Sequence, residues 1–280
     1  MIKSLKRLIK ITINDTIKEG VLKIKREYIP IQSDLFLVEF PKSGVTWLSN
    51  IIANIEILNS TEISECKKRI TFGNLESFIS DRHLGYPSSY YSPIFAGKLL
   101  KSHTRINRYI HRVIYIYRHP VSVMKSYYRM CKGYKFISNE MTFSEFIRDS
   151  ETGIESWKEH VKGWLFASDV DQRIFFVSYE NLVEDAIVYV QKIYDVFGID
   201  ALPKHIFEEA IQRSSADNMK ILETQLREND LRFKVRYDQD YRFVKGSTGT
   251  YFDNKEEIEE AEQYIRLQCK DELRWLGYEV

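Results

Sequence analysis

The sequence predicts a single α/β domain built on a parallel sheet, and three observations carry that expectation. Leu35 to Phe40 is a short, almost wholly apolar run, as a strand buried on both faces requires. Three later runs of similar length, Ala96 to Lys101, Arg112 to Tyr117 and Arg173 to Val177, alternate with stretches of helical apolar spacing. At 280 residues with 44% apolar side chains, the chain can bury a large core as one unit. Composition also excludes function classes. A net charge of +1 offers no global field for nucleic acid. Cys66, Cys131 and Cys269 lie far apart with no CxxC, which argues against a zinc site or a disulfide framework and suits a reducing, cytoplasmic compartment. No apolar run approaches the roughly 18 residues of a membrane span.

Residues 1–27 carry eight Lys or Arg against three acids, with Ile2, Leu5, Leu8 and Ile9 at helical spacing. They lack the apolar core of a signal peptide. This basic amphipathic helix is set apart from a domain of residues 28–280. Two readings stand for it: peripheral contact with an anionic membrane, or packing on the domain with the basic face in water.

The strand at 35–40 ends at Pro41, which cannot donate to a ladder. Gly44 permits a tight turn, and Thr46 to Ile57 carries helical spacing through Trp47, Leu48, Ile51, Ile52 and Ile55. Such a strand, loop and helix start aim several backbone N–H groups and the positive helix end at one point. Lys42, Ser43 and Thr46 add a cation and two hydroxyls, which makes a candidate phosphate site. The loop is not GxxxxGK[ST], because its Lys precedes the Gly. No strand-terminal acid is an obvious magnesium ligand. The pattern therefore suggests handling of a phosphate or sulfate ester without a metal, with an ordinary strand–turn–helix as the plain alternative.

Residues 58–93 have few periodic apolar positions and read as a loop holding Tyr86, Tyr90 and Tyr91, with Phe95 just beyond. These aromatics are candidates for an acceptor pocket or for simple loop packing. The second strand ends in Lys101-Ser102-His103, placing a histidine where α/β sheets put their chemistry. Its side-chain type suits taking a proton from an alcohol near neutral pH, whereas Glu39, the nearest rival by sequence, precedes the loop and is expected to point off the strand rather than into the site. After the third strand, Arg118 and Ser126 stand eight residues apart around a helix start, a pair able to meet one phosphate. Thr142 and Glu145 form a capping box. Ile154, Trp157, Val161, Trp164 and Leu165 stripe the next helix, which also carries His160. The fourth strand runs into Tyr179, Val183 to Phe197 reads as one helix closed by Gly198, and 220–244 reads as a loop.

Several of these segments, in order, resemble the cytosolic-type sulfotransferases. PKSGVTWL (41–48) is similar to the family's PKSGTTWL loop, with Val45 for Thr. KSHT (101–104) is similar to its KTH or KSH segment, and RHPVSVMKSYY (118–128) to its RxPxDxxxSYY segment, with Val121-Ser122 for Lys-Asp. The helix at 153–168 resembles SWxxHVxxWW. FEEAIQRSSADNM (207–219) resembles an adenosine-holding segment, with Ala216 for Phe. KGSTGTYF (245–252) resembles RKGxxGDWK, with Val244 for Arg. The resemblance implies a P-loop-type open parallel sheet with helices on both faces. It implies transfer of the sulfuryl group of 3′-phosphoadenosine 5′-phosphosulfate (PAPS) to a hydroxyl or amine, in line and with no metal. His103 is then the base, with Lys42 and Lys101 completing the catalytic set. Lys42, Ser43, Gly44, Val45, Thr46, Trp47, Arg118, Ser126, Tyr179, Ser214, Lys245 and Gly246 hold the nucleotide and His160 faces the acceptor, where Tyr86 of the aromatic loop is a further candidate. That acceptor is a small molecule, a lipid or a glycan. A catalytically silent protein binding 3′-phosphoadenosine 5′-phosphate (PAP) and a P-loop small-molecule kinase stay open as alternatives.

Overall fold

The computed structural model describes residues 28–60, 69–81, 88–106, 110–166, 173–229, 242, 244 and 255–279. The expected helix at 1–27 lies outside that set. Five strands form one sheet in the order β2-β3-β1-β4-β5: β1 (Leu35–Glu39), β2 (Ile79–Asp81), β3 (Leu99–Ser102), β4 (Arg112–Tyr117) and β5 (Arg173–Ser178). All neighbours pair in parallel. The chain goes from β1 to the β2 edge, returns to β3 beside β1, then crosses to β4 and β5. The carboxyl end of β1 is therefore where loops diverge to both sides, the usual site position in an open α/β sheet.

Every residue of β1 is buried because helices cover both sheet faces. Leu35 and Leu37 join Leu99, Ile114 and Ile116 beneath α1 (Val45–Asn59), α6 (Ala186–Val196) and α7 (Lys204–Arg213). Phe36 and Val38 point the other way, into a layer with Leu100, Val113, Tyr115 and Trp164. A further core gathers α2 (Pro120–Gly133), α3 (Phe143–Arg148), α4 (Ile154–Leu165), α9 (Lys255–Gln268) and α10 (Lys270–Trp275) around Trp157, Val161 and Ile265. The remaining helices are α5 (Tyr179–Glu184) and α8 (Ala216–Asn229).

Three expectations are corrected. Residues 58–93 contain β2, a three-residue edge strand paired to β3 alone. The helix expected over 183–197 is two helices broken at Asp185, whose side chain accepts from the Val188 amide and so starts α6 afresh. Residues 220–229 are not loop: α8 runs through them and buries Met219, Leu222 and Glu223. The capping box at Thr142 and Glu145 forms as expected, each side chain accepting from the other residue's amide.

α1 is tied at its far end to the segment leading into β3. Glu56, 1% exposed, accepts from Ser92 Oγ at 2.6 Å and Tyr90 Oη at 2.7 Å. Burial pushes its carboxyl up to about 7 against the two hydroxyl bonds. A folded-state value above the unfolded value of about 4.5 means that the native state holds the proton longer. Stability should therefore fall as pH rises from about 4.5 to about 7, by about 3 kcal/mol. Urea unfolding at pH 5 and pH 8 will measure that slope. Glu56→Gln, which carries no titrating proton, should remove this part of it.

Candidate active site

The loop after β1 owes its shape to two residues with positive φ, Lys42 at 77° and Gly44 at 120°. Gly44 is required twice over. A β-carbon there would lie 2.5 Å from the Tyr179 ring, besides straining the backbone. Ser43 is fully buried and donates its hydroxyl to the Phe40 carbonyl at 2.9 Å, so it braces the loop from inside. Among the described residues the amides of Gly44 and Thr46 donate to nothing, whereas those of Lys42 and Val45 are occupied.

Their acceptor is Glu39. Its carboxylate takes the Lys42 amide at 3.2 Å and the Val45 amide at 2.8 Å, while the side chain stays 5% exposed. The sequence suggests a strand residue pointing away from the loop, and the structure overturns this by turning Glu39 into it. Burial pushes the Glu39 carboxyl up, opposed by Lys101, the two amides and Lys42. Burial likewise pushes the Lys42 amine down, with Glu39 opposing; Lys101 and Arg118 add to the lowering, and Glu223 opposes it.

Strand register brings the other groups to the same place. Lys101 pairs with Leu37 and with Asp81, and Glu39 pairs with Ile116. Counting by twos, Glu39, Asp81, Lys101, His103 and Arg118 all fall on the α1 face of the sheet. Lys101 reaches Asp81 at 3.3 Å. His103 Nδ1 lies 3.3 Å from the Glu39 carbonyl oxygen and 3.7 Å from its carboxylate, with 24% of the side chain exposed. The imidazole is thus anchored at Nδ1 and partly exposed.

His160 approaches from the opposite face. Its Nδ1 meets the Tyr115 hydroxyl at 2.8 Å, Phe40 packs edge-on at 5.7 Å, and Nε2 makes no hydrogen bond among the described residues. Burial first, then the neighbouring His103, lowers its pKa to about 4, so it is neutral at pH 7. His160 reads as a buried neutral ring beside the site.

A second cluster lies beside the loop. The Arg118 guanidinium stacks on Tyr179 at 4.2 Å, and Tyr179 meets Trp47 edge-on at 5.8 Å. Trp47 Nε1 donates to the Ser214 carbonyl at 2.9 Å. The Ser214 hydroxyl donates inward to Asn50 at 2.9 Å and is wholly buried, so the structure brings Ser214 to the cluster by its main chain. Ser126 is half-buried on α2, two turns beyond Arg118. Tyr90 and Phe95 are packing residues, the first bonded to Glu56 and the second 1% exposed, while Tyr91 is on the surface. Tyr86, Lys245 and Gly246 lie outside the described residues.

Two acids escaped the sequence reading, Asp81 and Glu223, the latter accepting from the Val244 amide at 3.0 Å, and the direction of a third, Glu39, was read wrongly. Only Glu39 left a signal, as a lone charge ending an apolar strand. Arginine, two lysines, loop amides and a carboxylate-backed histidine within one crevice can bind a phosphorylated donor and accept a proton from an attacking group.

Comparisons with known proteins agree with this architecture. The chain is 28% identical over 198 residues to Sulfotransferase 1E1 of Bos taurus, covering 67% of this chain and 66% of that relative's length. It is 28% identical over 222 residues to Flavonol 3-sulfotransferase of Flaveria bidentis, covering 73% and 70% respectively. The crystal structure of retinol dehydratase in a complex with retinol and PAP superposes with a TM-score of 0.62 at 18% identity, over 87% of this chain and 83% of that one, which shows the shared fold. The sulfotransferase domain pattern matches residues 32–273. With that match spanning most of its length, the chain belongs to the sulfotransferase family.

Proposed function

We propose that this protein transfers the sulfuryl group of PAPS to a hydroxyl or amine of a small-molecule, lipid or glycan acceptor, with His103 as the general base. The observation that carries the reading is the convergence at the ends of β1, β3 and β4. One crevice there holds the Lys42 loop, Lys101, Arg118 on Tyr179, and a partly exposed His103 anchored through Nδ1. The free amides of Gly44 and Thr46 and the start of α1 suit the 5′-phosphosulfate. The Trp47–Tyr179 pair suits the adenine, and Arg118 with Ser126 and Lys245 suits the 3′-phosphate.

In the reaction, the acceptor oxygen or nitrogen forms a bond to sulfur as its proton passes to His103 Nε2. The sulfur–oxygen bond to the 5′-phosphate breaks and PAP leaves. Lys42 offsets the charge that grows on the departing phosphate oxygen, and Lys101 steadies the transferring group. Their positions support these roles, Lys42 lying on the loop after β1 and Lys101 on β3, the strand that leads to His103.

Removing a positioned base lowers turnover by about 10²–10⁴-fold. His103→Ala should show that loss in a labelled-PAPS assay with an acceptor found by screening phenols, alcohols, amines, lipids and sugars. Its PAP affinity should stay within a few-fold, and retention of more than about a tenth of wild-type turnover would remove His103 from the role. Arg118→Ala should weaken PAP binding by about ten- to a hundredfold while leaving AMP binding nearly unchanged, as loss of one charge-assisted contact implies. Calorimetric titration with both nucleotides checks this, and equal losses would place Arg118 away from the 3′-phosphate. Deleting residues 1–27 should leave turnover of a soluble acceptor within a few-fold and remove any binding to anionic liposomes.

A further inference from the structure

Among the described residues Glu39 is the one buried acid whose main chain and side chain both address the proposed base, and no part of the proposed reaction uses it. It ends β1, one residue before the loop begins, and its carboxylate oxygens each take a loop amide. The same residue faces His103 Nδ1 with its carbonyl oxygen at 3.3 Å and, at 3.7 Å, with the carboxylate oxygen that also takes the Lys42 amide. An oxygen acceptor at Nδ1 fixes the neutral ring with its proton there, which makes Nε2 the lone-pair nitrogen. A carboxylate at 3.7 Å then favours the imidazolium that forms when Nε2 takes a proton.

We infer that Glu39 is a positioning residue that couples the nucleotide loop to the base: its carbonyl selects the tautomer of His103, its carboxylate stabilises the protonated ring, and the same carboxylate holds the loop amides in place. This rests on His103 being the base. The two carboxylate oxygens each accept a backbone N–H, a geometry that suits the anion. Bound PAPS would lie against the loop that this anion shapes, so base and donor are set by one side chain. A carboxylate ending the strand, where it meets both the loop and the histidine, makes Glu39 a determinant of turnover as well as of loop shape.

Among the described residues, charged and titratable groups near His103 come from four places. They are Glu39 on β1, Lys101 on its own strand, Lys42 on the loop acting through Glu39, and His160 on α4. An opposite charge within about 4–6 Å moves a titration by about 1–3 units. Glu39→Gln keeps the carbonyl and removes the charge. The His103 ring, followed by carbon–proton NMR without nucleotide and assigned by its loss in His103→Ala, should therefore titrate at least about one unit lower in Glu39→Gln than in wild type. If Glu39 only braced the loop, Glu39→Gln would weaken PAP binding and leave the His103 titration in place, and that result overturns the inference. Should Glu39→Gln fail to fold, nitrogen NMR of the wild-type protein decides. Neutral His103 must carry its proton on Nδ1, and a proton on Nε2 overturns the inference. Neither measurement needs an acceptor, so an active His103→Ala enzyme would remove the base assignment without touching this test.

Discussion

Taking a carboxylate out of water costs several kcal/mol, and a fold tolerates it only where donors replace the lost solvent. Glu39 has four sources of compensation: the amides of Lys42 and Val45, and the amines of Lys42 and Lys101. Each charge-assisted bond returns about 1.5–3 kcal/mol, so the two amides repay much of the burial. The dependence runs both ways. The loop can hold Lys42 in a left-handed backbone because its amide is anchored, and the lysines can sit close together because an anion lies among them. Removing that one charge would leave two crowded ammonium groups and two buried donors without partners.

Around this anion the sheet divides labour between its faces. The α1 face carries Asp81, Lys101, His103 and Arg118 as well as Glu39, all polar and all near the carboxyl ends of strands. The opposite face presents Tyr115 to His160, a pair shielded from water by Phe40 and Trp164. Two histidines thus approach the same crevice with different chemistry. His103 is anchored to oxygens and partly exposed, whereas His160 is stripped of solvent and held neutral near pH 7. Environment, not residue type, separates the candidate base from the ring that packs beside it.

α1 links the loop to the segment that leads into β3. Its first turn starts at the loop, and its middle holds Ser214 through Asn50 and Asn54. Its far end grips Tyr90 and Ser92 through Glu56. The helix is buried almost throughout, so all three attachments are made on one element packed against β1.

The amino-acid sequence by itself determined the parallel α/β architecture, because strands buried on both faces must be short continuous apolar runs. β1, β4 and β5 stand within a residue of their expected ends for that reason, and the loop, Arg118 and His103 were legible from their places after those runs. β2 was not legible, since Ile79-Ser80-Asp81 has no pattern of its own and exists only as a partner of β3. Nor was the extension of α8 to Asn229, whose apolar residues are few and find their burial against the rest of the fold. Only the tertiary structure decided that Glu39 turns into the loop and that Asp81 pairs with Lys101. It also decided that His160 bonds to Tyr115. Each depends on which residues face each other across neighbouring elements, and strand register is a property of the assembled sheet that no single segment encodes.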